Sequence, residues 1–156
     1  MNVSIFTDAS YDSSMNTGAA GAGAWIKSNA IRGNACRYSK GFRCKDANHA
    51  ELRAILLGLA QAIKLHDNST DNLYIVTSDS DTAIDWVLGI KSCPSGAVDM
   101  IKYIKGLISK YQVQFNRIKS HRGTCTPRNA VNETVDRMAK SEMRKIRDES
   151  LRKKVA

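Results

Sequence analysis

The chain has 156 residues, of which 42% are hydrophobic, and this is enough for one globular domain with its own core. Its formal net charge of +9 favours a polyanionic partner such as nucleic acid, with solubility as the ordinary alternative. The four cysteines lack C-x-x-C spacing, the N-terminus lacks an export signal, and no apolar run approaches about 20 residues. We therefore expect reduced cysteines, no zinc site, no membrane contact and an intracellular, cytoplasmic location.

The predicted elements begin with three consecutive strands at about 2–9, 21–28 and 34–42, rich in β-branched and aromatic residues. A loop rich in Ser, Asn and Gly separates the first two strands. Its glycines, up to Gly23, allow another part of the backbone to come close to the sheet.

Helices and strands alternate in the rest of the chain. This order predicts an α/β fold in which a three-strand antiparallel meander and two parallel strands form a five-stranded mixed sheet flanked by helices. We predict one domain over residues 1–148 and a basic C-terminal tail over 149–156. The remaining predicted elements are helix 47–65, strand 72–78, helices 81–89 and 97–109, strand 112–118 and helix 129–147.

Four acidic residues are predicted to lie where an element meets the sheet. Asp8 lies near the end of the first strand, and Glu51 lies about 40° outside the apolar stripe of the first helix. Asp79 lies between a strand and a helix, and Asp136 borders the buried face of the last helix. Each has an ordinary structural explanation by itself, such as a loop cap for Asp8. Together their charges would repel one another. Clustered carboxylates of this kind are usually neutralised by hard divalent cations, which bind oxygen ligands.

Two further aspartates follow Asp79 closely. Asp81 falls in the first turn of the next helix, where a carboxylate suits the helix dipole, and Asp85 is predicted to point away from the apolar stripe into solvent. Neither is predicted to take part in chemistry.

Four segments of the chain resemble the successive active-site blocks of type 1 ribonuclease H. They occur in the same order and on the same predicted elements, from Met1 to about Lys145. The segments are "TDAS", "NHAELRAILLGL", "VTSDSDTAI" and "IKSHRGTCTPRNAVNETVDRMAK".

The resemblance implies a ribonuclease H-like fold and an endonuclease that hydrolyses the RNA strand of RNA/DNA hybrids, leaving 5′-phosphate and 3′-hydroxyl ends. It implies that Asp8, Glu51, Asp79 and Asp136 bind two Mg²⁺ ions, for which Mn²⁺ is expected to substitute. One ion would activate water, and the other would stabilise the leaving 3′ oxygen.

The resemblance also implies roles for several polar residues. His121, in a polar loop, would assist proton movement or product release, although a solvated histidine is the commoner case. Ser10, Asn48 and Asn132 would contact the hybrid, in part through RNA 2′-hydroxyls. His49, like His66, matches no such position and is expected to be structural or exposed.

The chain departs from its relatives in three places. Ala9 stands where many have Gly, which we expect to be harmless, and Asp81 and Thr82 stand where Gln and an aromatic residue are common. Asp81 is expected to repel phosphates or to tune metal entry. The tryptophan-rich basic protrusion of some bacterial relatives is replaced by the short "GIKSCPSG".

The basic surface that holds the substrate is therefore expected elsewhere. The segment from Arg137 to Ala156 contains eight Lys or Arg against three acids, and it is predicted to bind phosphate or to be a solvated terminus. Lys40, Arg43 and Lys45 are the next candidates.

Three alternatives stay open at this stage. A non-catalytic module of the same fold would bind hybrid or duplex without cutting. A 3′–5′ exonuclease would show D-x-E on the first strand, where this chain has Asp8-Ala9-Ser10, and an integrase-like enzyme would lack the Asp79 and His121 blocks in this form. We favour a monomeric hybrid-cutting enzyme.

Overall fold

The structure is a computed structural model and describes residues 1–29, 35–67, 71–119 and 127–155. In these ranges five strands form one sheet in the order β3-β2-β1-β4-β5. Strands β1, β2 and β3 are antiparallel neighbours, whereas β4 is parallel to both β1 and β5. The predicted fold class is confirmed. The strands are β1 (Asn2–Tyr11), β2 (Ala19–Ser28), β3 (Cys36–Arg43), β4 (Leu73–Ser78) and β5 (Gln112–Arg117).

The helices begin and end at recognisable signals. The Asp46 side chain caps the first helix by accepting the His49 N–H, and the Ser80 hydroxyl caps the second by accepting the Ala83 N–H. Gly89, with a φ of 76°, ends the second helix in the left-handed conformation that glycine tolerates best. The helices are α1 (Ala47–His66), α2 (Asp81–Leu88), α3 (Val98–Lys110) and α4 (Pro127–Val155), with a short 3₁₀ turn over Ser95–Ala97.

The helices cover both faces of the sheet. Gly58 of α1 lies against Thr7 and Ile5 of β1, so α1 covers the face to which the odd-numbered residues of β1 point. The main core lies on this face and includes side chains of α1, α2 and α3, such as Leu59, Ile84 and Ile104.

Helix α4 packs on the opposite face, and the glycines of β2 allow this close approach. A Cβ at Gly21 would lie 2.1 Å from the Ala139 carbonyl oxygen, and one at Gly23 would lie 2.5 Å from the Val135 oxygen. The backbone of α4 therefore rests directly on β2, as the glycines of this segment predicted. Gly23 pairs with Asp8 of β1, so this contact brings the turn of α4 that contains Val135 beside Asp8.

Helix α4 continues to Val155, and its predicted end at residue 147 is wrong. The physical reason is that the helix stays in contact with the rest of the protein as far as Ser150. The Ser150 side chain is buried, donates to the Ile146 carbonyl oxygen at 2.9 Å and accepts a hydrogen bond from the Arg43 guanidinium. The helix thus crosses the predicted boundary at residue 148, and the division into domain and tail stays a prediction.

Within the described ranges, the helices and the cysteines bear on membrane insertion and on disulfide bonding. No helix there has both the length and the apolar character needed to cross a bilayer. The three cysteines within them, Cys36, Cys44 and Cys93, are free thiols, and Cys125 lies outside the described residues.

Candidate active site

Asp8 and Asp79 meet at one edge of the sheet because their strands are parallel neighbours. Phe6 of β1 is in register with Thr77 of β4, so the residues two places further along also lie side by side. Asp8 is buried, and one of its carboxylate oxygens accepts the Ala9 N–H at 2.9 Å. The predicted position of Asp79 immediately after the strand is confirmed.

Glu51 reaches the same point from the N-terminal part of α1. One carboxylate oxygen from each of Asp8, Glu51 and Asp79 lies within 4.8 Å of the other two. Three of the four predicted acids are therefore brought together, and we call this group the carboxylate cluster.

The carboxylate cluster is electrostatically unfavourable without a positive charge. Burial raises the pKa of Asp8 to about 7, and repulsion by Asp79 adds to the effect. Burial also raises the pKa of Glu51 well above its usual value, followed by repulsion from Asp8 and Asp79. Among the described residues, Glu51 Oε2 is buried without a hydrogen-bond partner. Three clustered carboxylates, one of which has a buried oxygen without a hydrogen-bond partner among the described residues, fit a hard divalent cation such as Mg²⁺.

Asp136 lies near this group but outside it. Its charge contributes to the raised pKa of Asp8, so the two carboxylates are close. However, Asp136 Oδ2 lies 2.9 Å from the Nζ atom of Lys140, one helical turn later. Sequence reasoning missed this ion pair, although an Asp and a Lys four residues apart on a helix are recognisable neighbours.

The predicted substrate-binding residues lie around the carboxylate cluster on three elements. Ser10 is half-buried and points to the same face of β1 as Asp8, and Asn48 is exposed in the first turn of α1. Asn132 lies one turn before Asp136, and its Oδ1 atom is buried without a hydrogen-bond partner among the described residues. His121 lies outside the described residues.

Asp85 does not point into solvent as predicted, and that interpretation is wrong. Only 7% of the residue is exposed, and its carboxylate binds the Arg117 guanidinium and the Lys91 ammonium group. These partners lower the pKa of Asp85, the hydrogen bond from Arg117 most strongly. Arg117, at the end of β5, also binds the exposed Asp81 at 3.1 Å. Because the partners come from β5 and from the segment after α2, the period of α2 alone did not reveal them.

His49 is structural, which is one of the two predicted outcomes. Its Nδ1 atom lies 2.8 Å from Asp46 Oδ1, and its ring meets the Trp86 ring edge to face at 6.0 Å. The start of α1, which carries Glu51, is thus fixed to α2.

The chain matches a known family over most of its length. The sequence model of the RNase H family matches residues 1–144. A search of curated proteins finds no match.

Three solved structures illustrate the structural likeness. The N-terminal RNase H domain of rv2228c from Mycobacterium tuberculosis has a TM-score of 0.75 at 21% identity, covering 96% of this chain and 98% of that one. LC11-RNase H1 in complex with an RNA/DNA hybrid has a TM-score of 0.74 at 19% identity, covering 92% and 97%. RNase H1 from Halobacterium salinarum has a TM-score of 0.73 at 16% identity, covering 93% and 99%. With the fold shared and the family match extending over nearly the whole sequence, the chain belongs to the RNase H family.

Proposed function

We propose that the chain is an endonuclease that hydrolyses the RNA strand of RNA/DNA hybrids and leaves 5′-phosphate and 3′-hydroxyl ends. Membership of the RNase H family supports a ribonuclease that binds nucleic acid. A hybrid as the substrate is supported by the LC11-RNase H1 structure, which contains one. The observation that carries the proposal is the convergence of Asp8, Glu51 and Asp79 within 4.8 Å.

In this proposal Asp8, Glu51, Asp79 and Asp136 hold two Mg²⁺ ions, or Mn²⁺ in their place. When bound, such ions supply an activated water and positive charge at the leaving oxygen. Asp136 would leave Lys140 to take part, which the flexible lysine side chain permits because the pair is on the helix surface.

The protein positions these acids on rigid elements. Asp8 is held within β1 and Asp79 directly after β4, and Glu51 lies near a helix start that Asp46 caps. Their shared negative charge would repel a phosphate until cations neutralise it. Cleavage should therefore depend on divalent metal. The unpartnered Asn132 Oδ1 is suited to accept a hydrogen bond from a 2′-hydroxyl, with Ser10 and Asn48 as further polar contacts. His121 is proposed to assist proton movement or product release.

The second candidate, a binding module that does not cut, explains the carboxylate cluster less well. Buried acids facing a polyanion weaken its binding unless they hold cations. A protein that only binds the duplex would gain from a neutral residue at each of these positions.

The test is incubation of the full chain with Mg²⁺ and sequence-matched RNA/DNA, RNA/RNA and DNA/DNA duplexes. We expect internal cuts in the RNA strand of the hybrid only, products with 5′-phosphate ends, and no cleavage in excess chelator. Binding without cleavage under every metal condition would favour the non-catalytic module. Cleavage of DNA/DNA, or efficient cleavage in chelator, would overturn the proposal.

A further inference from the structure

Helices α1 and α3 run side by side and both start at the edge of the sheet that carries the carboxylate cluster. At this edge, the Nε2 atom of His49 lies 3.5 Å from where a Cβ of Gly96 would stand, just before α3. At the opposite edge, the Tyr111 hydroxyl after α3 donates to Asp67 after α1 at 3.1 Å. The first turns of α3 are therefore near the proposed active site, and its last turn is far from it.

The outer surface of α3 carries a compact group of exposed residues. Ile101 and Ile104 are buried against the core, which turns the opposite side of the helix to solvent. The spacing of three and four residues makes the exposed residues contiguous neighbours. The exposed residues of the helix also include Asp99, Tyr103 and Lys110, and the part that we call the α3 patch is Lys102, Lys105, Gly106 and Ser109.

The two lysines of this patch differ from many other cations of the chain. Among the described residues, neither Lys102 nor Lys105 forms an ion pair, and both are exposed. By contrast, carboxylates neutralise Lys91 next to α2 and several cations of α4. These α4 pairs are Lys140 with Asp136, Lys145 with Glu142, Arg147 with Asp148 and Lys153 with Glu149.

Gly106 is a second, independent feature of the patch. A glycine inside an exposed helix is unfavourable, yet a Cβ here would meet no atom within 4 Å. The fold therefore does not require the glycine. Its effect is a flat place next to Lys105 and one turn beyond Lys102, and a glycine of this kind suits the close approach of another molecule's backbone.

We propose that Lys102 and Lys105 bind backbone phosphates of the nucleic acid substrate beyond the cut site, with Gly106 leaving room for the strand. The identity of the substrate as a hybrid rests on the proposed function. At a rise of 1.5 Å per residue, Lys102 lies about 6 Å and Lys105 about 10 Å along α3 from Val98. Lys110, about 18 Å along, is too far from the proposed active site to share the contact.

The experiment compares Lys102→Ala/Lys105→Ala with Lys110→Ala as the matched control from the same helix. Binding of a labelled RNA/DNA hybrid is measured against salt concentration in the Asp79→Asn background, so that cleavage does not consume the substrate. We expect the slope of log K against log salt to shrink by up to about 0.9 per lost contact in the double variant, and not in the control. Circular dichroism of both variants checks that each is folded.

Each outcome has one meaning. An unchanged slope in the double variant would overturn the proposal and assign the lysines to solubility or to an acidic protein. An equal loss in Lys110→Ala would also overturn it, because the effect would then be one of net charge. A reduced slope in a protein that never cuts the hybrid would support the α3 patch while overturning the proposed function.

Discussion

Asp79 and Asp85 lie six residues apart, yet their surroundings give them different tasks. Asp79 lies at the edge of the sheet next to Asp8, where three carboxylates converge within 4.8 Å of one another. Asp85 lies one turn into α2, where Arg117 and Lys91 balance its charge. Two cations hold the buried carboxylate of Asp85, so it is not available to a metal ion.

The substitution Asp79→Asn should therefore affect cleavage, whereas Asp85→Asn should affect stability. Asp79→Asn should abolish cleavage while leaving the melting temperature unchanged or higher, because it removes one of several like charges. Asp85→Asn should lower the melting temperature, because it leaves Arg117 and Lys91 without their shared partner. Its cleavage rate at low temperature should remain near normal. Cleavage assays at about 15 °C and thermal unfolding of both variants measure this. Loss of cleavage in a fully folded Asp85→Asn protein would contradict the assignment.

At the scale of elements, the contact between α4 and the sheet depends on the glycines of β2. A side chain at Gly21 would collide with the backbone of α4 at two residues, Ala139 and Met143, and backbone atoms cannot move aside individually. Glycine is thus required there by close approach. Gly106 on α3 has no such neighbour.

Alanine at these two positions should have opposite effects. Gly21→Ala should lower the free energy of unfolding by about 1–3 kcal/mol or more, because α4 must shift. Gly106→Ala should raise it by about 0.5–1 kcal/mol, because alanine is the better helix former. Urea unfolding of the two variants gives both values. Equal effects of the two substitutions would mean that α4 does not pack on β2 as described.

At the scale of the whole molecule, the carboxylate cluster connects metal binding to stability. The pKa of Asp8 is about 7 in the folded protein, above its usual value of 3.8. Between about pH 4 and pH 7 the unfolded chain loses this proton while the folded chain keeps it. The unfolding free energy therefore falls as pH rises through this range, by a few kcal/mol at most, and the whole penalty is present above about pH 7.

We accordingly expect Mg²⁺ to stabilise the protein more at pH 8 than at pH 5, since it neutralises the carboxylates that are ionised at pH 8. Thermal unfolding with and without Mg²⁺ at the two pH values measures this.

In the metal-free protein, Asp8→Asn should raise the melting temperature at pH 8 and leave it nearly unchanged at pH 4. Asp12→Asn is the control of opposite sign, because the hydrogen bond from Thr17 and further bonds lower the pKa of the buried Asp12. It should destabilise the protein at pH 8. An identical pH dependence in the Asp8→Asn protein and the unchanged chain would contradict this account.

The sequence by itself determined the order and type of the elements, and it selected the acids that lie at their ends. Hydrophobic periodicity reports which side of an element is buried, and parallel strands must end at the same edge. These patterns place Asp8 near the end of the first strand and Asp79 directly after a later one, whereas the parallel pairing of β1 with β4 that brings them together is known from the structure. The resemblance of four ordered segments to type 1 ribonuclease H indicated the family to which the chain belongs.

Only the tertiary structure decided which charges have partners on distant parts of the chain. Asp85 faces away from the apolar stripe of α2, as its spacing predicted, but the end of β5 lies there and supplies Arg117. The last turns of α4 look like a frayed basic tail in the sequence, but Ser150 packs against Arg43 and the helix continues to Val155. Both differences have the same physical reason. A carboxylate or a helical turn is exposed or buried according to what lies opposite it in space, and the partner here comes from a distant part of the chain.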